Sequence, residues 1–502
     1  MRRMKYYLGI DNGGTTTKAA VFDSRGRQIS SASEDTRSIY LRPGFVERDM
    51  EEMWEANCSV IRQAVARAGI APSNIRAVSL CGHGKGLYLW GKDGGPVRNG
   101  IASTDNRAAE YTARWKRDGV EAAAFELNCQ HIMTCQPIPL LAWLRDNEPG
   151  CLEKVRYIFS CKDYIRFRLT GEAYSERTDC SGNGLLNLHT GEFDERILDL
   201  FGLAGLQHAL PPLRNATDIC GAVTAQAAEK TGLCAGTPVA GGMFDIDACA
   251  LSAAVSDDRH VCMVAGTWSI NEFVADQPIV DGRVLMNSLF CIPGKYLIEE
   301  SSATSAGNLA WYLRNMESCT QNVYTEANRL ALSVGAGEFC PIFLPFIMAS
   351  NVNPYAKGAF VGINANHTKG HIIRGIYEGI AFCHRWHYEK LRALMDRDPE
   401  SIRLVGGVAN SPVWIQIFAD VMKRPVETSS VEETGAHGVA IAAAAAVGDY
   451  PDLEAALRGM TDLSAPVMPD PGNFEAYDKK YSLYKEIIER LDPVWDDIQA
   501  LL

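Results

Sequence analysis

Two glycine-bearing turns, about half a chain apart, limit what this sequence can become. The first runs from the apolar Tyr6-Tyr7-Leu8-Gly9-Ile10 through Asp11-Asn12-Gly13-Gly14-Thr15-Thr16-Thr17-Lys18 to Ala19-Ala20-Val21-Phe22-Asp23. Apolar runs of strand length on both sides of an Asn-Gly turn predict a β-hairpin with a polar tip. The second leads from His260-Val261-Cys262-Met263-Val264 into Ala265-Gly266-Thr267-Trp268-Ser269 and out through Ile270-Asn271-Glu272-Phe273-Val274. Between and after them the pattern alternates. Met53, Trp54, Val60, Ile61 and Val65 fall at helical spacing, Ile75 to Leu80 reads as a strand, and Ile402 to Val405 enters Gly406-Gly407 before a helix from Ser411 to Met422. Tyr481 to Leu501 reads as a final helix. Such alternation is that of an α/β sheet. The two hairpins suggest related domains facing one ligand, a duplication read from pattern because the halves share little identity.

A chain of 502 residues exceeds what one hydrophobic core usually supports, so two domains with a cleft between them are expected. Gly236-Thr237-Pro238-Val239-Ala240-Gly241-Gly242 runs into Met243-Phe244-Asp245 and the helical Ile246 to Ala254, which places the boundary near residue 250 and the domains at 1–250 and 251–502. With 47% hydrophobic and 22% charged residues the composition is that of an ordinary globular protein. A formal charge of −12 argues against a nucleic-acid partner, which needs a positive surface to displace counterions. Fifteen cysteines without a C-x-x-C pair or clustered histidines read as reduced, buried thiols of a cytoplasmic protein. The segment after the basic Met1 to Lys5 is too short for a secretory signal. The longest apolar stretch, Val439 to Val447, is about half of what spans a bilayer, so no membrane segment is expected.

A phosphate held without a large positive patch is usually cradled by backbone N–H groups of glycine turns beside small hydroxyls. In the first tip Gly13 and Gly14 admit an anion close to the backbone, Thr15, Thr16 and Thr17 offer hydroxyls, and Lys18 adds a point charge. Asp11 is placed to hold Mg²⁺ through water. Taken alone, Asp-Asn-Gly-Gly is equally a good hairpin turn. The second tip, Gly266-Thr267, and the third glycine pair, Gly406-Gly407, together make a nucleotide-site pattern, and not of the Walker type, since no G-x-x-x-x-G-K-[ST] occurs.

Gly9 to Lys18, Cys81-Gly82-His83-Gly84-Lys85-Gly86, Gly241-Gly242-Met243-Phe244-Asp245, Gly266-Thr267-Trp268 and Arg403-Leu404-Val405-Gly406-Gly407-Val408-Ala409-Asn410 occur in the order and spacing of the FGGY carbohydrate kinases, and the resemblance covers essentially the whole chain. It implies two ribonuclease-H-like domains of the actin and hexokinase type, an N-terminal one for the sugar and a C-terminal one for ATP. By the same resemblance Asp245 stands at the catalytic base and, with Asp11, near Mg²⁺. Thr15 and Thr267 stand at ATP phosphates, and Gly406, Gly407 and Asn410 around adenosine. An aspartate after Gly-Gly-Met-Phe can also be only the N-cap of the next helix, and the two roles are compatible. Asp247, two residues on, is a weaker candidate.

At the sugar, xylulose kinases of this family tend to carry Gln-Met-His and glycerol kinases Gln-Arg-Glu, where this chain has His83-Gly84-Lys85. The departure resembles the L-xylulose kinase branch and implies phosphorylation of L-xylulose or 3-keto-L-gulonate. D-xylulose, erythritol or glycerol is the next substrate class, and a non-catalytic sugar or nucleotide sensor the alternative of another kind. Lys85 can hydrogen-bond sugar hydroxyls or pair with a sugar acid's carboxylate; its plain reading is a surface lysine on a turn. Asp105 in Ser103-Thr104-Asp105-Asn106-Arg107 aligns with the family's Asp-x-Arg and can accept from a substrate hydroxyl or cap the following helix. The aspartate of Lys162-Asp163-Tyr164 is structural or substrate-contacting. Glu432-Glu433 reads as a turn before an Ala-rich helix near the nucleotide, Trp268 as packing, and the family as often dimeric.

Overall fold

In the computed structural model, which describes residues 4–317 and 322–501, contacts group the chain into two units. One comprises the chain up to Ser256 with Val274–Ile298 and Val431–Asp462; the other comprises Asp257–Phe273, Glu299–Ser430 and the chain from Leu463. A single cut near residue 250 is therefore not how the contacts divide. The reason is the Thr434–Ala446 helix, whose alanine and glycine face is buried in the first unit.

The first unit is built on β1 (Tyr6–Asn12), β2 (Thr16–Asp23), β3 (Gln28–Asp35), β4 (Ile75–Gly82), β5 (Ile219–Ala222), β6 (Pro238–Ala240) and β7 (Met243–Phe244). Its order is β5-β6-β4-β1-β2-β3, with β7 also on β4. β1 and β2 pair antiparallel, β1 and β4 parallel. The period-2 alternation of β1 decides its two faces. Leu8 and Ile10 join the core around Met53, Trp54 and Ile61 of the Met50–Arg67 helix. That helix is N-capped by Asp49, whose carboxylate accepts from Glu51 N and Glu52 N. Gly9 and Asp11 face the other way, toward the Thr434–Ala446 helix.

That second face is closed backbone to backbone. A Cβ on Gly9 would lie 1.8 Å from the carbonyl oxygen of Ala436, and one on Gly438 would lie 2.0 Å from that of Ala248 in the Asp245–Ser252 helix. No side chain fits at either position. His437, between them, bonds Ser252 Oγ at 2.9 Å and the Met460 carbonyl at 3.0 Å, and burial holds its imidazole neutral, down at about 4.

The second unit repeats the sheet. β8 (His260–Ala265), β9 (Ser269–Ala275), β10 (Tyr296–Ser302), β11 (Ser401–Val405) and β12 (Val426–Thr428) stand in the order β10-β9-β8-β11-β12. β8 and β9 form an antiparallel hairpin, and β11 pairs parallel with both β8 and β12. Strand for strand this is the arrangement of β3-β2-β1-β4-β6, the ribonuclease-H-like order, so the two hairpin turns hold equivalent places. The final helix begins earlier than its hydrophobic spacing suggests, at Phe474, and runs to Gln499.

Gly9→Ala and Gly438→Ala should each lower stability by about 1–3 kcal/mol or more, as forced overpacking does. Gly14→Ala, whose new methyl would meet nothing within 4 Å, should stay within about 0.5 kcal/mol of the parent. Chemical denaturation of the three variants checks this; equal stability of Gly9→Ala and Gly14→Ala would show that the helix is not seated this tightly.

Candidate active site

In the first unit the strand ends converge. Asp11 on β1, Cys81 on β4 and Met243 on β7 stand side by side in register across three strands. Asp245 follows Met243 by two residues and begins the Asp245–Ser252 helix, whose capping position is Phe244. The N-cap expectation for Asp245 therefore does not hold; it occupies the first helical residue. The Thr434–Ala446 helix also begins here, and its Gly435 lies so close that a Cβ would be 2.6 Å from Asp11 Oδ2. Both helices thus turn the positive ends of their dipoles toward carboxylates.

Burial pushes the Asp11 carboxyl above the usual carboxylate range; the Lys18 ammonium and the Cys81 thiol pull it back, while Glu433 pushes it up. Lys18, opposite Asp11 in the hairpin register, lies 2.8 Å from Glu433. Burial works against its charge, but Glu433 and then Asp11 outweigh it and hold the ammonium above its ordinary value. The Cys81 thiol is pushed far up, first by burial and then by the charges of Asp11 and Asp245. At the tip, Gly13 N–H bonds the Thr16 carbonyl at 3.0 Å, Thr16 Oγ1 donates to Asp35, and Gly14 and Thr15 are exposed to solvent.

Beyond β4 the chain presents His83, Gly84 and Lys85. His83 is buried, with Nε2 3.1 Å from the Tyr88 hydroxyl and Nδ1 3.2 Å from the Gly84 carbonyl. Burial, helped by the charges of Arg48 and Lys85, holds it neutral, down at about 3. Gly84 is required by a close approach: a Cβ there would fall 2.4 Å from the ring of Phe244. Lys85 is half-buried in the left-handed region, at φ +65°. Its N–H donates to Asn183 Oδ1 at 2.7 Å, and its ammonium stands 4.9 Å from the Phe244 ring centroid. The plain reading of a surface lysine is set aside by that burial.

Asp105 is 1% exposed and does not cap the next helix, which starts at Ala109 behind Ala108. Its Oδ1 accepts from Arg107 N and Nε, and its Oδ2 from Val46 N and Arg107 Nη2, all between 2.7 and 2.9 Å. Asp163 is likewise engaged, by Lys162 at 2.8 Å and Arg166 at 2.7 Å. Asp247 is fully buried and accepts from Cys291 N at 2.9 Å; burial, with Glu176 close by, pushes its carboxyl far above the usual range.

In the second unit a cavity of about 430 Å³ opens between the two glycine turns, lined among others by Gly266, Thr267, Gly407, Asn410, Tyr377 and Trp414. Gly406, at φ +92°, closes β11 so tightly that a Cβ would fall 2.8 Å from the Ala265 carbonyl. Tyr377 and Trp414 are stacked 4.0 Å apart at 11° and locked by Trp414 Nε1 donating to the Tyr377 carbonyl at 3.0 Å. Asn328 Oδ1 accepts from the Tyr377 hydroxyl and from Ser411 Oγ, both at 2.7 Å. Trp268 is 38% exposed, so it is not packing as expected.

Sequence reasoning missed Glu433 as the partner of Lys18, Phe244 as the shelf under Lys85, and the Tyr377–Trp414 floor. Only the aromatic pair had a local signal, two large aromatics on helices flanking a Gly-Gly turn. Glu433 is the residue just before the helix that sits on β1 in the first unit.

Replacing Lys18 by Met removes the charge that holds Asp11 down and leaves Glu433 uncompensated, so the Asp11 titration should move to higher pH. Carboxyl-carbon NMR of the parent and Lys18→Met proteins reads this directly; an unchanged or lowered Asp11 midpoint would contradict it.

Residues 6–252 match the N-terminal domain, and residues 261–447 the C-terminal domain, of the FGGY family of carbohydrate kinases. The chain is 35% identical over 494 residues to the L-xylulose/3-keto-L-gulonate kinase of Escherichia coli (strain K12), covering 97% of each chain. It is 35% identical over 492 residues to the probable L-xylulose kinase of Pasteurella multocida (strain Pm70), covering 97% of this chain and 99% of the relative. The crystal structure of xylulose kinase from Rhodospirillum rubrum is similar at a TM-score of 0.83 and 26% identity, covering 98% of this chain and all of that one. The chain belongs to the FGGY family of carbohydrate kinases and is an ATP-dependent sugar kinase.

Proposed function

We propose that the chain phosphorylates a small ketose, L-xylulose or 3-keto-L-gulonate, by in-line transfer of the ATP γ-phosphoryl group, with Asp245 as the general base. The observation that carries this reading is the position of Asp245 on the first residue of a helix, two residues after Met243, which stands in register with Cys81 and, through it, with Asp11. Phosphoryl transfer asks little covalent work of the protein; it asks for alignment, charge neutralisation and a group to take the proton. The acceptor hydroxyl would give its proton to the Asp245 carboxylate as its oxygen bonds to the γ-phosphorus and the bond to the β-phosphate oxygen breaks. The helix N-terminus favours the ionised form of that carboxylate before transfer and the phosphate charge during it.

Asp11 and Asp245 suit a hard cation that keeps several waters, since both are carboxylates and Asp11 stands half-buried at a strand end. Mg²⁺ bound with ATP supplies neutralisation of the β- and γ-phosphate charge. The exposed Gly14 and Thr15, with Gly13, Thr16 and Lys18 behind them, would meet phosphate oxygens from the first tip, and Gly266 and Thr267 from the second. Gly406, Gly407 and Asn410 would enclose the adenosine, with the stacked Tyr377 and Trp414 as a flat apolar floor beneath the base.

His83, Gly84 and Lys85 would meet the sugar, with Lys85 above Phe244, the residue before the base. Asp105 would act there through Arg107 and the Val46 backbone, which already fill its lone pairs. The names of the relatives from Escherichia coli and Pasteurella multocida favour L-xylulose and 3-keto-L-gulonate over D-xylulose, erythritol and glycerol.

The test is a coupled ADP-release assay with MgATP against these five sugars. Activity confined to the first two, and a fall of about 10²- to 10⁴-fold in kcat for Asp245→Asn with the KM for ATP nearly unchanged, is the expected result. Turnover by Asp245→Asn at the parent rate would remove the base assignment, and a preference for D-xylulose, erythritol or glycerol the substrate assignment.

A further inference from the structure

Six lysine and arginine side chains are buried among the described residues: Arg48, Arg107, Lys162, Arg166, Arg374 and Lys480. Five of them have a carboxylate within ion-pair distance. Arg48, 2% exposed, has none among the described residues. Its Nη1 donates to the Gly13 carbonyl at 3.3 Å, and its Nε has no partner. The neighbouring Glu47 is taken by Arg98 and Arg107. A buried guanidinium without a counter-charge is costly and is retained where a ligand supplies the charge.

Lys85 shows the same deficit from another side. Its φ of +65° strains the backbone of a non-glycine residue. Its ammonium has Met286 Sδ at 3.4 Å and the Phe244 ring for company, and no carboxylate among the described residues. The two cations are joined through one chain of groups. Arg48 donates to the Gly13 carbonyl, the carbonyl of the preceding Asn12 accepts from His83 N at 2.9 Å, Lys85 follows His83 by two residues, and both cations add to the field that keeps His83 neutral.

We propose that Arg48 and Lys85 form a carboxylate subsite flanking His83, so that the acceptor this chain prefers is a keto-sugar acid and not a neutral pentulose. The inference rests on the sugar-kinase reading of the His83 to Lys85 segment and narrows its substrate class. A guanidinium and an ammonium near one neutral imidazole can take the two oxygens of one carboxylate by charge-assisted hydrogen bonds.

3-Keto-L-gulonate and L-xylulose differ by a carboxylate, so the pair isolates it. The parent enzyme should show kcat/KM higher for the acid by on the order of 10- to 100-fold, the span that hydrogen bonds to charged groups provide. Lys85→Met, on a half-buried side chain, and Arg48→Gln should each lower kcat/KM for the acid at least tenfold more than for L-xylulose, mainly through KM. Thermal shifts with each sugar in the absence of ATP should show the same ordering. No preference for the acid in the parent, or equal losses for both sugars in Lys85→Met, overturns the proposal. So does an Arg48→Gln enzyme whose defect lies in the KM for ATP, which would assign the guanidinium to a phosphate. If Arg48→Gln fails to fold, Lys85→Met decides. If neither sugar is turned over but the acid still stabilises the parent and not Lys85→Met, the subsite stands and the proposed reaction falls.

Discussion

The first unit depends on two backbone contacts that no side chain could make. Gly9 of the first strand meets the Ala436 carbonyl, and Gly438 meets that of Ala248, at distances that leave no room for a Cβ. An interior packed to crystal density does not yield at such points. Because β1, the Thr434–Ala446 helix and the Asp245–Ser252 helix touch backbone to backbone, the start of each helix is fixed relative to the ends of β1 and β4. Asp11 and Asp245 owe their positions to that seating. So does the pairing of Lys18 with Glu433, two residues more than 400 apart in the chain that meet because the helix start lies over the hairpin.

Burial then sets the electrostatics of what has been positioned. Asp11, Cys81 and His83 are each moved chiefly by loss of water, and neighbouring charges adjust the result. Arg48 apart, the unit neutralises its buried cations locally: Lys162 and Arg166 by Asp163, Arg107 by Asp105 and Glu47. Asp105 and Asp163 have the residue type and sequence context of ligand-binding groups, yet in the folded protein their oxygens are turned inward to arginine and lysine. In the second unit, the nucleotide-sized cavity is shaped by a different economy, with glycine turns on one side and a stacked Tyr377–Trp414 pair on the other.

Much of this was legible in the amino-acid order because it is local. Hairpins with polar tips, the alternation of strands and helices, and the Gly-Gly turns are written within stretches of ten to twenty residues, where periodicity and turn chemistry act directly. The sequence by itself determined the two equivalent sheets, the chemistry gathered at their strand ends, and the family to which the chain belongs. Tertiary structure alone decided which residues are free to act. It decided that residues 431–462 belong with the first unit, that Asp245 opens its helix and does not cap it, that Trp268 is exposed, that Glu433 answers Lys18, and that Arg48 is buried without a counter-charge. The physical reason is the same in each case: burial, pairing and close approach depend on residues distant in sequence, and neither periodicity nor turn propensity carries information about them.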